Sequence, residues 1–450
     1  MIKKSILCLA LSALYAGSAL SAITVEEASR LNKDLTPLGA ERVGNTAGTI
    51  PEWTGGITTA LPGWPNKTND RPNPYPDDKP LFTITSENME QYSAQLTPGT
   101  KAMFQAYPEQ FKMHIYPSRR TAAYPQKLYD AISTQATTAQ LSEDGNNIKD
   151  VWGAIPFPIP ANGVEAIWNH LLRYQGFSRK AEINENVIYD NGKSIDSTID
   201  SLSYDPFYDP NASQSDKDKR ILSKVVTTAD TPARDSGEGY LLIDSLDMKV
   251  SPRKAWIYDP GERRVRRAPN LAFDTPDRPI NVIDDYQLFS GSPERYDWKL
   301  VGKKEMYIPY NNNKVNSPSI PLEDLAKDGF MDHQLIRYEL HRVWEVEATV
   351  KDGERHLYKK RVSYLDEDTW NIVATDKYDG NNNLWRIGFY YPVVASEVPL
   401  TGTGMYAQVD LKKGGYYIYN SSTGRKGWEF NFKAPKPSYF SPAAARRRGR

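Results

Sequence analysis

The chain has 450 residues, with 56 Lys and Arg set against 56 Asp and Glu. That balance argues against a general nucleic-acid binder, which needs a surplus of cations along the phosphate backbone. A mean hydropathy of −0.62 excludes a polytopic helical membrane protein. The 28 Tyr, 32 Pro and 29 Gly suit strands and turns better than a helical bundle.

Lys3 and Lys4 precede an uncharged apolar stretch, Ile6 to Leu20, and small residues follow at Ala19, Ser21 and Ala22. This is the pattern of a secretory signal peptide, too short and wrongly flanked for a transmembrane helix. The single cysteine, Cys8, lies inside that stretch. Export without a disulfide fits the periplasm of a Gram-negative bacterium. No other stretch is apolar enough to span a membrane as a helix, so the mature chain is expected to have no membrane span.

From Ile23 to about Pro80 the sequence is rich in turns, with Gly55-Gly56 and six prolines from Pro62 to Pro80. It reads as an extended arm wrapped over a scaffold, with Trp53 and Trp64 as anchors. From Thr85 to about Gly176 the pattern is mostly helical. Met103, Phe104, Tyr107 and Phe111 fall at helical spacing interrupted by Pro98 and Pro108, and Asn162-Gly163 opens a segment whose Val164, Ile167, Trp168, Leu171 and Leu172 share a face.

From about Ala181 onward strands dominate. Lys254–Tyr258 and Arg263–Ala268 flank the turn Asp259-Pro260-Gly261-Glu262 as a hairpin. His341–Val350, Arg355–Leu365, Trp370–Tyr378 and Leu384–Tyr391 follow one another across short turns, and later come Met405–Leu411, Tyr416–Asn420 and Trp428–Phe432. Trp344, Val346, Ala348 and Val350 alternate with Glu345, Glu347 and Thr349. Tyr358, Val362 and Tyr364, then Trp385, Ile387 and Phe389, are expected to continue the same apolar face. The fold class is therefore α+β, mostly β: a large curved antiparallel sheet, or half-barrel, covering helices, with a turn-rich N-terminal arm.

Signatures of chemistry are sparse. The five histidines form no metal-binding spacing, and no phosphate loop, dinucleotide fingerprint or nucleophile elbow is present. No catalytic residue, metal or cofactor is expected. Asp284-Asp285 and Asp366-Glu367-Asp368 cluster on turns, where aspartates usually cap backbone groups. Arg263, Arg264, Arg266 and Arg267 form a basic run that either blunts an edge strand or meets phosphate head groups. Arg264 and Arg266 are the head-group candidates.

Several stretches resemble an uncharacterised Gram-negative periplasmic family related to the outer-membrane lipoprotein-sorting proteins of the LolA/LolB-like superfamily. They include Leu35-Thr36-Pro37-Leu38-Gly39, Gly48-Thr49-Ile50-Pro51-Glu52-Trp53, Pro156-Phe157-Pro158-Ile159-Pro160 and Trp168-Asn169-His170. The hairpin around Asp259-Pro260-Gly261, Gly291-Ser292-Pro293-Glu294-Arg295 and His341-Arg342-Val343-Trp344 also fit. The resemblance implies a LolA-like sheet wrapped around helices, its concave apolar face holding acyl chains. It further implies partners of the RND-type exporter and outer-membrane companion kind. Length and the long arm depart from the better-known carriers.

The resulting division is a signal peptide at 1–22, an arm and helical region at 23–160, a half-barrel at 161–440 and a basic flexible tail at 441–450. The expected function is a non-catalytic periplasmic carrier of a lipid-like cargo, with the protein possessing no nucleic-acid partner. Trp344, Val346, Tyr358, Val362, Tyr364, Trp385, Ile387 and Phe389 are the candidates for its apolar lining. Two alternatives stay open. A polysaccharide- or lipid-active hydrolase needs two carboxylates facing across a groove, and an outer-membrane β-barrel or associated structural protein needs lipid-facing apolar bands.

Overall fold

A computed structural model describes residues 23–189, 191–269, 271–327 and 330–449, so the expected signal peptide lies outside the described residues. Strands β1 (Phe82–Ile84) and β2 (Met113–Ile115) bracket helix α1 (Pro98–Ala106), and helices α2 (Gln126–Gln135) and α3 (Gly163–Leu171) follow. A first meander contains β3 (Ser178–Ile188), β4 (Ser194–Tyr204), β5 (Ile221–Thr231), β6 (Gly239–Ser245), β7 (Lys254–Asp259) and β8 (Arg264–Arg267). A second contains β9 (Tyr296–Pro309), β10 (Tyr338–Val350), β11 (Lys360–Asp366), β12 (Ile372–Tyr378), β13 (Leu384–Ala395), β14 (Leu400–Asp410) and β15 (Tyr416–Ser421). Short β16 (Glu429–Phe430) and helix α4 (Pro442–Arg448) complete the chain.

These strands make one open sheet, mostly antiparallel, ordered β1-β2-β10-β11-β12-β13-β14-β15-β3-β4-β5-β6-β7-β8, with β9 on β10 and β16 on β3. The last strand of the second meander thus pairs with the first strand of the first. A parallel pairing, Tyr338 with Ile115, joins β2 to β10. The sheet is not closed into a barrel, which removes the outer-membrane barrel alternative.

Register irregularities recur along it, between Leu300 and Gly302, Tyr364 and Leu365, Lys377 and Tyr378, and Tyr391 and Val393. Such irregularities add bend and twist. At the last of them Pro392 has no N–H to give to the ladder. Asparagines from the loop after β9 supply the missing bonds. Asn313 accepts from the Val394 N–H at 2.8 Å, and Asn316 bridges the Tyr391 carbonyl at 3.0 Å and the Met405 N–H at 2.7 Å.

The second meander is buried on both faces. One face packs on α2 and α3 through Leu128, Ile132, Ile167, Trp168 and Leu172. The other packs on α1 and the loops around it through Met103, Phe104 and Phe111. The interruption expected at Pro108 is where α1 ends: Tyr107 caps the helix, and Phe111 reaches the core from beyond its end, its ring edge-on to Phe104 at 4.6 Å. The arm behaves as an anchored strap: Trp53 is buried and donates to the Ala122 carbonyl at 2.8 Å, and the Arg71 guanidinium lies over the Trp64 ring at 4.7 Å.

Residues 441–449, expected as a flexible basic tail, differ from that expectation. Ser441 caps α4, and Ala444 and Ala445 are buried against the first meander, so two small residues supply a packing face beside the arginines.

Asp376 on β12 is fully buried under the start of α1, where it accepts the Gly99 N–H at 3.1 Å. Burial, with Glu345 adding repulsion, pushes its carboxyl up from 3.8 to about 7. The folded protein then keeps a proton that the unfolded chain releases, so this residue costs stability as pH rises from about 4 to 7. The stability of Asp376→Asn relative to wild type should grow across that window and level off above it. Urea unfolding at a series of pH values measures this, and a pH-independent difference would contradict it.

Candidate functional site

A cavity of about 310 Å³ opens between the first meander and the segment that links the two meanders. Period-two alternation builds its floor. Ile199, Ser201 and Ser203 on β4, Ser223, Val225 and Thr227 on β5, and Tyr240, Leu242 and Asp244 on β6 all face it. The register sets them in rows, Ser201–Thr227–Tyr240 and Ser203–Val225–Leu242. The intervening Leu202, Val226 and Leu241 point the other way, where Phe440 and Ala445 cover them.

Tyr390 on β13, Tyr406 on β14 and Tyr419 on β15 reach the same cavity. Six strand spacings separate β13 from β6, about 29 Å on a flat sheet at roughly 4.8 Å each. Side chains from both ends meet around one cavity only because the sheet bends around it.

The end of α3 and the linking segment form the remaining wall. Asn162 caps α3 by accepting the Glu165 N–H at 2.9 Å, and Gly163 rests on the β9 backbone, where a Cβ would stand 2.7 Å from the Trp298 carbonyl carbon. His170, near the helix end, is fully buried, accepting from the Ile372 N–H at 3.1 Å and contacting the Phe289 carbonyl at 3.0 Å. Burial holds its imidazole well below its ordinary pKa, and it is therefore neutral. Leu171 and Arg173 project from this end into the cavity wall.

The linking segment is fixed by charge. Across β11, β12 and β13 the register sets Arg361 beside Lys377 and Lys377 beside Arg386. Asp284 meets Arg361 at 3.0 Å and His356 at 3.0 Å, and Asp285 meets Lys377 at 2.8 Å. Tyr358 donates to Asp285 at 2.7 Å, and Arg386 pairs with Asp410 at 3.1 Å. Burial lowers Lys377 to about 8, while burial of Asp284 is outweighed by Arg361 and His356, which hold it below the usual carboxylate range. Beyond the aspartates, Gln287 and Leu288 sit at φ of 55° and 67°, a conformation that costs an L-residue strain. Leu288 is seated on Gly388, where a Cβ would stand 2.7 Å from it, so the missing side chain on β13 makes its socket.

The residues named from the sequence for the lining fall elsewhere. Val346 pairs with Ser363, which sets Val362 and Tyr364 across from Glu347 and Glu345 on the opposite face. Val362, Tyr364, Ile387 and Phe389 belong to the core under α1, whereas Val346 and the flanking Trp344 pack with α2 and α3. Tyr358 is in the charged cluster and Trp385 donates to Asp410 at 3.1 Å. None of the eight borders the cavity; Phe389 alternates on β13 with Tyr390, which does, and so points to the other face. Arg264 and Arg266 stand exposed on the edge strand β8, the latter paired with Glu262. What sequence reading missed was β4 to β6, whose cavity face carries Ser and Thr among its apolar residues and so gives a weak hydrophobic signal.

Asp366, Glu367 and Asp368, read as capping acids, are all buried; Asp366 does cap the turn, accepting the Thr369 hydroxyl at 2.6 Å, whereas Glu367 and Asp368 are ion-paired. Arg120 clamps both oxygens of Asp368 at 2.6 and 2.9 Å, and Lys303 and Arg342 hold Glu367 at 2.9 and 3.2 Å. His341, Asp366 and Asp368 approach within 4.8 Å, a spacing compatible with a cation. Asp368 is already occupied by Arg120, and burial beside Asp368 pushes Asp366 up to about 7, so protonation relieves the repulsion there.

Replacing Asp285 by Ala leaves Lys377 and part of Arg361 buried without a counter-charge, a change that typically costs about 3–5 kcal/mol. The exposed pair Arg30–Asp34, screened by solvent, should contribute far less. Urea unfolding of Asp285→Ala and Asp34→Ala compares the two, and equal small losses would show that the charged cluster does not hold the linking segment.

The chain is 39% identical over 449 residues to "Uncharacterized protein PA3922" of Pseudomonas aeruginosa, spanning 98% of this chain and 97% of that one. Similarity to solved structures is more remote. A DUF1329 family protein from Desulfovibrio piger has 16% identity and a TM-score of 0.42, over 60% of this chain and 92% of that one. A putative outer membrane lipoprotein-sorting protein domain from Vibrio parahaemolyticus has 15% identity and a TM-score of 0.44, over 63% and 98%. A LolA superfamily protein, NE2245, from Nitrosomonas europaea has 10% identity and a TM-score of 0.37, again over 63% and 98%. Residues 83–446 match the family described as "Protein of unknown function (DUF1329)", and the chain belongs to that family.

Proposed function

We propose that the protein is a non-catalytic periplasmic carrier of a lipid-like cargo held in the cavity between β4–β6 and the linking segment. The supporting observation is the cavity itself: about 310 Å³, with Leu171, Ile199, Leu222, Val225, Leu242 and Tyr406 in its wall. That volume lies at the lower end of the range for small-molecule sites. Each methylene buried there contributes about 0.8 kcal/mol, which holds a chain without covalent chemistry. Two wall carboxylates, Asp205 and Asp244, are tied to Arg179 and Arg253 at 2.9 and 2.7 Å, an arrangement that favours a binding wall over a poised acid and base.

The periplasmic location rests on the signal sequence, and no helix among the described residues is long and apolar enough to cross a membrane. An RND-type exporter and an outer-membrane companion remain the partners of this proposal. So does contact of Arg264 and Arg266 with anionic head groups. Both are exposed at the open sheet edge, beside β7, whose Tyr258 packs on Gly449 at the end of arginine-bearing α4.

Protein purified from the periplasm is expected to release an apolar molecule into organic solvent, detected by mass spectrometry. Val225→Trp, which fills the cavity floor, should weaken binding of a fluorescent fatty acid by at least about tenfold. Protein that is clean after purification and takes up no such probe would overturn the proposal.

A further inference from the structure

Four arginines border the cavity: Arg173, Arg179, Arg253 and Arg278. Three have a carboxylate partner within an ion pair, Arg179 with Asp205, Arg253 with Asp244 and Arg278 with Glu185, the last at 2.9 Å. Arg173 forms no ion pair among the described residues. Its Nε donates to the Asn371 amide oxygen at 2.7 Å, and its two terminal nitrogens donate to the His170 carbonyl and the Gln287 amide oxygen. Every one of these acceptors is neutral.

Arg173 is only 5% exposed, and burial, with repulsion from Arg179, brings its guanidinium down to about 10. A buried charge is ordinarily paired, because desolvation otherwise goes uncompensated. Asp205 attracts it from a distance, but no carboxylate of the wall forms an ion pair with it. Asp205 is held by Arg179, Asp244 by Arg253, and Asp277 takes the Tyr286 hydroxyl beside Arg278. Three acceptors also leave part of the five-donor guanidinium fork unspent. The residue is rigidly set, since His170 and Asn371 belong to the packed core and Gln287 belongs to the segment fixed by Asp284 and Asp285. Next to it the wall continues with Leu171, Phe289 and Tyr390.

We infer that the cargo is an amphipathic anion, its apolar chain on the β4–β6 floor and its carboxylate or phosphate head taking Arg173 as counter-ion. This rests on the carrier reading and specifies its substrate class. A planar guanidinium recognises both kinds of head through paired N–H···O bonds, and a neutral or cationic head leaves Arg173 uncompensated.

The test uses the full mature protein, freed of bound lipid, with N-phenyl-1-naphthylamine as a neutral fluorescent reporter in the cavity. Dodecanoate, dodecyl phosphate, dodecanol and inorganic phosphate are titrated as competitors. Dodecanoate or dodecyl phosphate should displace the reporter at least about tenfold more tightly than dodecanol, and inorganic phosphate alone should not displace it. The tighter of the two anions identifies the head group as carboxylate or phosphate. In Arg173→Met the anions should fall to the level of dodecanol while dodecanol itself changes less than about threefold, and Arg173→Lys should keep a preference for anions. Equal binding of dodecanol and both anions to the wild type overturns the inference and leaves the carrier reading standing. Anion preference that survives in Arg173→Met also overturns it. Failure of the wild type to take up the reporter or any dodecyl compound overturns both readings. The wild-type comparison needs no variant, so poor folding of Arg173→Met does not shield the inference.

Discussion

Three cations stand side by side across β11, β12 and β13, and all three are buried. Arg361, Lys377 and Arg386 are cross-strand neighbours, so they repel one another at the closest distance a sheet allows. Asp410 answers Arg386 from β14. The other two depend on Asp284 and Asp285, which are remote in sequence and lie on the segment between the meanders. The second meander therefore cannot be completed electrostatically until that segment lies down on it. Apolar residues in the same positions would give comparable or greater stability, since buried ion pairs lose much of their attraction to desolvation. What the charges add is register: only one placement of the segment brings two adjacent carboxylates to these two fixed cations.

That placement decides where the cavity is. With Asp284 and Asp285 docked, Leu288 drops into the socket over Gly388, and Tyr286, Gln287 and Phe289 turn toward the first meander. The two meanders then differ in what covers them. The second is packed on both faces by helices and loops, and its interior is full of side chains. The first has α4 on one face and the linking segment standing off the other. The hollow in this sheet is accordingly at the junction of the first meander with β13 to β15, away from β10 and β11.

The sequence made the sheet legible and the site largely illegible, for the same physical reason. Strong alternation, as at Trp344–Val350, marks strands whose apolar face is packed, because only a fully buried face excludes polar residues consistently. A binding wall is half solvent and half cargo, and Ser201, Ser203, Ser223 and Thr227 dilute the pattern that would reveal it. Register adds a second obstacle. The apolar residues of β10 and β11 looked continuous, but Val346 faces Ser363, and the turn that sets this pairing carries no signature that separates one register from the next. Asp284-Asp285 was visible as a pair of acids, yet its meaning lay 77 residues away from Asp284 at Arg361.

The position of Arg173 follows from the same architecture. α3 is buried along nearly its whole length, so its end has nowhere to turn except the gap between the sheet and the linking segment. His170 secures that end by binding Ile372 on β12 and the Phe289 carbonyl on the segment, tying the helix, the sheet and the cap together. Arg173, one turn further on, inherits this rigid mounting and binds Asn371 and Gln287, one from the sheet and one from the cap. A guanidinium needed only for packing would be more stable with a carboxylate than with amides, and carboxylates are already present in the wall at Asp205 and Asp244, the first of which feels its charge. Those acids are held by their own arginines. The structure thus keeps one cation uncompensated at the point where helix, sheet and cap meet around the cavity, which is where the fixed end of an elongated ligand would be best determined.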